Sequence, residues 1–441
     1  MRLLCTVLLL FFAIGAASAS PAGEFVPLPS FSTYEIPNTQ NPVPKAELRE
    51  YLDVGALFAG LSLATYLALV KRSRNGLFLL TIASLAWLGF WRKGCICPIG
   101  AIGNVTLAAC DPSYIVPLSA VAIFILPLIF TLFFGRTFCA AVCPLGAVQE
   151  LVAIRPVQTP VWLDHTLGLL AYVYLGAAVL FAATGTAFVI CRYDPFVGLF
   201  RMSASVNMLI LAACFLVVGV FVGRPYCRYL CPYGAILGLL SKVSKWHVTI
   251  PPDICIQCRL CEEACPYGAI REPTIVLPAS QRHSTTRRFA LLLLLLPALI
   301  GLGAVLGRYL DVPLARLHPT FRLAEIVRSE ETNKSELTTH ESDAFRKTGK
   351  TVEDLYRETS VLLSRFGIAG AWFGAWVGLI IGVKLIHLSI RRRRTDYEPD
   401  RAACVSCGRC FWYCPRSSDE RKGIVDAMAL SLYDENKNII A

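Results

Sequence analysis

Seven apolar stretches, approximately 53–70, 75–91, 114–134, 166–190, 206–222, 289–306 and 368–390, constrain this chain more than any other feature. In lipid a backbone must satisfy its own polar groups, and a helix of about 20 apolar residues spans the hydrocarbon layer. Each stretch is therefore expected to cross a bilayer as a helix. A chain of 441 residues would otherwise suggest about three soluble domains. With 55% hydrophobic residues, 17% charged residues and a mean hydropathy of +0.56, the composition opposes that reading. The same figures exclude a disordered chain, a collagen-like repeat and a small secreted disulfide scaffold.

The formal charge of +11 points to orientation in a membrane, not to nucleic acid, because the basic residues cluster between apolar stretches. If residue 53 begins outside, the inner loops carry Lys71, Arg72 and Arg74, then Arg136 and Arg155, then Arg224, Arg228, Lys242, Lys245, Arg287 and Arg288, and finally the run 391–394. Arg92, Lys93, Arg192, Arg201 and the mixed-charge outer segment are exceptions to an otherwise positive-inside pattern. At the N-terminus, Arg2, an apolar run over 3–14 and the small residues Ala17, Ser18 and Ala19 read as a signal peptide, with which Cys5 would leave.

The expected organisation is a signal peptide at 1–19, a Pro-rich periplasmic tether at 20–50 and a membrane core at 51–246. The first half of a ferredoxin module follows at 247–286, then a transmembrane helix at 287–307, a periplasmic segment at 308–367 and a second transmembrane helix at 368–390. The second ferredoxin half occupies 391–441. Within the core, GRTFCAAVCPLGA from Gly135 repeats as GRPYCRYLCPYGA from Gly223, which suggests pseudo-symmetric halves.

The chain has 18 cysteines, and most fall into sets. Cys255, Cys258, Cys261 and Cys265, followed by Pro266, form a C-x2-C-x2-C-x3-C-P run, as do Cys404, Cys407, Cys410 and Cys414, followed by Pro415. In two-cluster ferredoxins such runs supply three ligands to one 4Fe–4S cluster and the fourth to the other. One cluster is thus assigned to Cys255, Cys258, Cys261 and Cys414, the other to Cys404, Cys407, Cys410 and Cys265. Zinc is the alternative, although its sites usually pair two C-x2-C units or include histidine. Cross-ligation would fold the two spanning helices between the runs into a hairpin returning to one inner module.

Cys139, Cys143, Cys227 and Cys231, in the repeated C-x3-C-P motifs, complete a ligand set for a third iron–sulfur cluster; the bland alternative is inert buried thiols. On the opposite face Cys95, Cys97, Cys110 and Cys191 are also four in number. They allow an outer-face cluster, a redox-active site or a disulfide. Cys214, alone in an apolar stretch, reads as a small core residue. Cysteine sets at both faces suit an electron conduit, since a bilayer core of about 30 Å is too thick for efficient direct tunnelling. The gap between them calls for a quinone, a flavin or another centre.

His165 and His387 fall near inner helix ends and read as interfacial side chains, with haem or quinone binding as the alternative. Thr351 and Asp354 mark a helix start, after which Val352, Leu355, Thr359, Leu362 and Phe366 share a face. That face either docks a partner or packs on the membrane domain. ATGT at 183–186 superficially resembles a threonine-linked flavin motif but lies in an apolar stretch. No P-loop, dinucleotide fingerprint or hydrolase triad is present, and no residue is assigned a catalytic role: the cysteines are ligands, not nucleophiles.

From about Gly94 to Pro415 the chain resembles the membrane part of the NosR and NapH family of iron–sulfur proteins. The resemblance rests on RKGCICPIG, GRTFCAAVCPLGA, CRYDPFVGLFR, GRPYCRYLCPYGA, DAFRKTG and DYEPDRAACVSCGRCFWYCP, with NosR the nearer pattern. It implies delivery of electrons to a periplasmic reductase or its electron carrier, by analogy nitrous oxide reductase. NosR-type proteins usually carry a large periplasmic flavin-binding domain before the first span, where this sequence has only 20–50. The resemblance then implies a separate flavoprotein holding FMN, or a related system with another acceptor.

The expected fold is an all-α polytopic membrane protein with a duplicated cysteine-bearing helical core, plus a small α+β two-cluster ferredoxin-like module. It is expected in a bacterial inner membrane, multi-pass, with its N-terminus periplasmic after signal cleavage and its ferredoxin module cytoplasmic. Electrons would pass between a quinol or cytoplasmic donor and the periplasmic oxidoreductase. Rival readings are a redox-sensing or biogenesis factor for a periplasmic metalloenzyme and, last, a transporter, for which no midplane acidic residue is present.

Overall fold

In the computed structural model of the chain, residues 47–94, 97–154, 156–250, 256–274, 279–333, 339–390, 394 and 396–415 are described. The expected signal peptide, most of the tether, Cys95, Cys255, Arg155, the basic run 391–393 and everything beyond 415 lie outside them.

The protein is mainly helical. Helix α1 (Glu47–Thr65) runs on as a π-helix over Tyr66–Val70, and α2 (Arg74–Ser84) likewise over Leu85–Trp91. Ser73 caps α2 by accepting from the Gly76 N–H at 3.2 Å. Then come α3 (Pro98–Cys110), α4 (Leu118–Phe134), a π-helical turn (Phe138–Val142) and α5 (Pro144–Val152). Next are α6 (Val161–Leu167), α7 (Leu170–Ala183), α8 (Val189–Tyr193), α9 (Pro195–Arg201), α10 (Val206–Phe221), α11 (Pro225–Tyr229) and α12 (Pro232–Ser241).

Among the described residues four helices are long and apolar enough to cross a membrane: Leu48–Val70, Val161–Ala183, Arg287–Arg308 and Val352–Ser389. The chain is thus a multi-pass membrane protein. A fifth span arises only if α9 and α10, bent by 111°, count as one. Of the seven apolar stretches expected to cross, four or five therefore meet this length and composition test among the described residues. Pro117 delays α4 until Leu118, leaving it 17 residues long, and left-handed Met202 breaks the path into α10. Several apolar segments are half-length helices, each starting at a proline in its first turn, where the missing N–H costs nothing.

The ferredoxin-like part is built from both sides of a helical hairpin. Helix α13 (Leu260–Glu263) and strand β1 (Ile270–Arg271) precede α14 (Ala279–Arg308). Helices α15 (Asp311–Ala315), α16 (Pro319–Asn333) and α17 (His340–Lys347) lead to α18 (Val352–Ser389), after which come β2 (Glu398–Pro399) and α19 (Arg409–Tyr413). Strands β1 and β2 pair antiparallel, Ile270 opposite Pro399 and Arg271 opposite Glu398. Arg271 and Asp400 form an ion pair at 3.1 Å, and Tyr267, Ile270, Tyr397 and Val405 fill the small core between the halves.

Helices α14 and α18 touch backbone to backbone. A Cβ at Gly303 or Gly307 would overlap the carbonyl of Gly374 or Gly370, and one at Gly378 would overlap that of Leu299. Lipid offers no hydrophobic drive between helices, so close packing of small residues holds such a pair. The hairpin leans on α7, where the Trp376 indole N–H donates to the Tyr172 carbonyl at 2.9 Å.

The expected helix start at Thr351 is present: its hydroxyl oxygen accepts from the Asp354 N–H at 3.2 Å. The helix then continues unbroken from Val352 to Ser389, through the segment before the span and the span itself. Of its apolar face, Leu355 packs with Ala324, Val327 and Phe345, and Phe366 with Ala315 and Leu180. Internal packing therefore accounts for that face.

Candidate metal centres

The second cysteine run and the last cysteine of the first line one cavity. Cys265, Cys404, Cys407 and Cys410, with Val248, Tyr267 and Arg409, surround a small cavity of about 20 Å³. A 4Fe–4S cluster takes one thiolate per iron, so four thiols lining one site fit it. Among the described residues no three Cys, His, Asp or Glu side chains converge closely enough for a single ion. A cubane separates its ligands because each binds a different iron.

Both runs wrap alike. The residues flanking the second cysteine are left-handed in each: Gln257 (φ 55°) and Arg259 (φ 64°) around Cys258, Ser406 (φ 54°) and Gly408 (φ 80°) around Cys407. Such alternation turns successive N–H groups inward toward an anionic group. Cys258 is exposed, and Cys261 lies on α13, which packs against α19. Cys414 caps the C-terminal end of α19. Their expected partner Cys255 is outside the described residues.

The repeat cysteines also converge. Cys139 lies in the π-helical turn, Cys227 in α11, and Cys143 and Cys231 precede the first residues of α5 and α12. Cys231 is within electrostatic reach of Cys227, Cys143 and Cys139. Gln149, fully buried, donates to Cys227 Sγ at 3.4 Å and accepts from the Tyr226 N–H at 3.0 Å.

Of the described members of the set expected at the outer face, Cys97 and Cys191 approach each other and Cys110 does not. Cys97, at the start of α3, is within electrostatic reach of Cys191, whose Sγ lies against Gly100. Cys110 is exposed at the far end of α3, about 20 Å away at 1.5 Å per residue. Cys97, Cys110 and Cys191 form no disulfide, and Cys95 is outside the described residues. Cys97 also lies within reach of Cys143, and Tyr233 within reach of Cys97, Cys139, Cys143 and Cys231. The expected separation of outer and inner cysteines is thereby corrected. Because α3, α5 and α12 are half-length, their starting ends meet inside one core instead of standing a full span apart.

A pattern not anticipated from sequence underlies this. C-P-x-G-A occurs at Cys97, Cys143, Cys231 and Cys265. In the first three, cysteine precedes the helix and proline opens it; at Cys231 the Gly234 N–H donates to the sulfur at 3.3 Å. At Cys265 the Ala269 N–H does so at 3.4 Å. Helix N-termini favour the thiolate that a metal needs. Asp194, before Pro195, takes the same place at α9 and accepts from Phe196 N–H, Val197 N–H and the Tyr226 hydroxyl.

The two repeat arginines, read from sequence only as inner-face charge, cross between the halves. Arg136 of the first repeat sits over Gly234 of the second, and Arg224 of the second over Gly146 of the first. Arg136 donates to the Ala402 carbonyl at 2.9 Å, Arg224 to those of Cys139 and Ala140. Both are buried. Their signal is the Gly-Arg-x-x-Cys spacing shared by the repeats.

Glu150 ties these pieces together. It pairs with Arg74 at 2.5 Å, Arg409 at 2.9 Å and Arg224 at 3.1 Å, and accepts from the Tyr267 hydroxyl at 2.9 Å. Burial alone would raise its pKa, but Arg224, Arg409 and Arg74 together hold it well below the usual carboxylate range. Arg74 also donates to the Cys407 carbonyl at 2.8 Å. One carboxylate thus links both repeats and both ferredoxin halves.

Of the remaining candidates, His165 and His387 lie within electrostatic reach of each other and of Lys384. Thr184 of the flavin-like tetrapeptide donates to the Leu180 carbonyl at 3.0 Å and closes α7. Cys214 lies half-buried in α10.

Two family models, each described as a 4Fe-4S binding domain, match the chain. One matches residues 116–160 and 205–251, which hold Cys139, Cys143, Cys227 and Cys231; the other matches 248–271, which hold Cys255, Cys258, Cys261 and Cys265. The chain is 31% identical over 220 residues to protein NirI of Paracoccus denitrificans, covering 45% of this chain and 31% of that protein. Over 156 residues it is 28% identical to the putative electron transport protein YccM of Escherichia coli, 32% of this chain and 43% of the relative. The regulatory protein NosR of Pseudomonas aeruginosa is 29% identical over 167 residues, 34% of this chain and 23% of the relative. The chain therefore spans less than half the length of these three relatives. No solved structure matches it. The resemblance to NosR-type membrane iron–sulfur proteins is borne out, and so is the mainly helical fold with ferredoxin-type domains.

Proposed function

We propose that this protein carries electrons across or along a bacterial inner membrane, between a quinol or cytoplasmic donor and a periplasmic reductase of the kind used in denitrification. The observation that carries the reading is the cavity lined by Cys404, Cys407, Cys410 and, from 139 residues earlier, Cys265. That set would hold one 4Fe–4S cluster; Cys255, Cys258, Cys261 and Cys414 would hold a second, and Cys139, Cys143, Cys227 and Cys231 a third. Such clusters supply one-electron carriers whose potentials are tuned by charge, hydrogen bonds and burial.

The chain's own residues do the tuning. Arg74 and Arg224 donate to the Cys407 and Cys139 carbonyls and Arg136 lies 3.8 Å from Cys139 Sγ, positive charge that would favour reduced, more negative clusters, while Arg409 pairs with Glu150. Glu150 offsets that charge. Backbone N–H groups at Gly234 and Ala269 stabilise thiolates, and the apolar core around Tyr233 and Phe138 excludes water. The similarity to NirI and NosR supports a denitrification setting, and the name of YccM supports electron transport. A flavoprotein partner belongs to the same reading.

Iron and acid-labile sulfide per chain on anaerobically purified protein test the proposal, with low-temperature EPR after graded reduction. About eight irons would match the ferredoxin pair alone and about twelve would include the membrane set. Zinc without labile sulfide would overturn electron transfer. The name of the regulatory protein NosR favours a second reading, in which the clusters sense redox state or support maturation of a reductase. A deletion strain separates the two: fully metallated reductase that native donors fail to reduce supports delivery, unmetallated reductase supports maturation.

A further inference from the structure

An open groove of about 440 Å³ lies where the first span ends, within the size range of small-ligand sites. One wall is the π-helical end of that span, with Ala68, Leu69 and Val70; the other is the segment 245–249. Phe134, the last residue of the apolar helix α4, also lines it. Trp246 stacks on Phe134 with ring centroids 5.5 Å apart, and its backbone N–H donates to the Phe133 carbonyl at 2.8 Å. Both Val70 and Trp246 are exposed. Tryptophan gathers where hydrocarbon gives way to lipid headgroups, and two apolar helices end beside this one, so the groove sits at that boundary.

The charge in the groove has one sign. Arg72 and Lys245 line it, and no aspartate or glutamate does. Among the described residues neither cation has a carboxylate partner, whereas nearby Arg74 is paired with Glu150. The Lys245 ammonium lies over the Trp246 ring, 4.7 Å from its centre. Two unpaired cations above a wall of aliphatic and aromatic side chains match an amphiphile with an anionic head. An arginine offers a phosphate two parallel N–H donors, and a lysine adds a point charge.

We infer that the groove binds one anionic phospholipid, its phosphate between Arg72 and Lys245 and its acyl chains along Leu69, Val70 and Phe134. The inference goes beyond the electron-transfer reading and needs neither a cluster nor a reductase. Position gives the lipid a use. Val248 lines both this groove and the wall around Cys265, Cys404, Cys407 and Cys410. A lipid seated here therefore braces the chain as it enters the ferredoxin-like module and ties that module to the end of the first span. Basic residues near a membrane also attract anionic lipid diffusely, each by about 1 kcal/mol. Lys71 separates the two cases, because it is as basic and as close to the membrane as Arg72 but does not line the groove.

The test uses the full-length protein in phosphatidylcholine nanodiscs, titrated with phosphatidylglycerol carrying a photoreactive acyl chain. Native mass spectrometry counts the retained lipid, and peptide mapping locates the label. Expected are saturable retention of one phosphatidylglycerol per chain and label within 65–72 or 245–249. The double variant Arg72→Gln with Lys245→Gln should bind at least about tenfold more weakly, and Lys71→Gln within about twofold of wild type. Hydrogen exchange over 256–271 should slow when phosphatidylglycerol is added to the wild type and stay unchanged in the double variant. The single variants Arg72→Lys and Lys245→Arg, which keep the charge, retain the lipid and show that the fold tolerates changes at these positions. Equal losses at Lys71, Arg72 and Lys245 would mean a diffuse basic belt and overturn the site. Label elsewhere, or equal retention of phosphatidylcholine, would overturn it as well. Displacement of the lipid by excess inorganic phosphate would assign the cations to a soluble anion instead. Iron and sulfide content belong to the electron-transfer reading alone, so its failure leaves these outcomes unaltered and is told apart from theirs.

Discussion

Replacing Glu150 by Gln removes one charge from a cluster of three arginines and a tyrosine. The Glu150 side chain is 1% exposed and that of Arg224 2%, so their pair is desolvated on both sides; Arg74 and Arg409 keep 15% and 19% exposure. Breaking a buried pair by removing one partner costs about 3–5 kcal/mol, because the remaining charge stays buried. With two of the three arginines able to turn partly to water, the low end applies, about 3 kcal/mol. At 1.4 kcal/mol per tenfold that is on the order of a hundredfold in the equilibrium between docked and undocked ferredoxin module. Hydrogen exchange over 256–271 and 396–415 in detergent-solubilised protein reads that equilibrium directly. The double variant Glu150→Gln with Arg224→Gln should recover part of the loss, giving a favourable coupling energy. The pH dependence follows from the depressed carboxyl: its contribution is complete above the unfolded value of 4.5 and is lost only as pH falls from there toward the lower folded value. Docking in the wild type should therefore hold between pH 7 and 5. Unchanged exchange in Glu150→Gln, or equal losses in the single and double variants, would refute this account of the carboxylate as the common anchor.

Further outcomes follow from the same geometry. Cys265→Ser should abolish the EPR signal of the cluster assigned to Cys404, Cys407 and Cys410, while Cys414→Ser removes the other ferredoxin signal; reversed or identical losses would exclude cross-ligation. Gly374→Leu places a side chain against the Gly303 carbonyl, so the α14–α18 hairpin must open. Overpacking costs about 1–3 kcal/mol at ordinary sites, and a lowered thermal midpoint with easier proteolysis between 390 and 396 is expected. Arg136→Gln should shift the potential of the membrane-set signal downward by removing positive charge beside Cys139, with iron content unchanged.

Much of this architecture is legible from the chain. The ferredoxin spacing predicts which cysteines approach one another, because ligand order within each run is short-range information. Apolar runs reveal membrane helices for the same reason. Length alone misleads at 118–134 and 206–221, where prolines and a left-handed residue decide whether a run becomes a full span. Cys110 shows a second failure: four outer cysteines look like a set until the helix between Cys97 and Cys110 separates them. Arg136, Arg224 and Glu150 were hidden differently. Their charges suit an inner membrane surface, and only the crossing of the repeats brings them into the core.

The pairing of β1 with β2 also sets an order of manufacture. After Ile270 is made, the ribosome adds roughly 130 residues before Glu398 exists to pair with Arg271. At about 5–20 residues per second this is roughly 6–25 seconds, during which two more segments enter the membrane. Throughout that interval Cys258 and Cys261 lack Cys414, and Cys265 lacks Cys404, Cys407 and Cys410, the partners that the proposed ligation gives them. With the proposed cross-ligation, both ferredoxin clusters would be completed only after the hairpin has been inserted. A chain arrested on the ribosome before residue 398 should carry no labile sulfide in its ferredoxin half, whereas one released after residue 415 should be competent to acquire it.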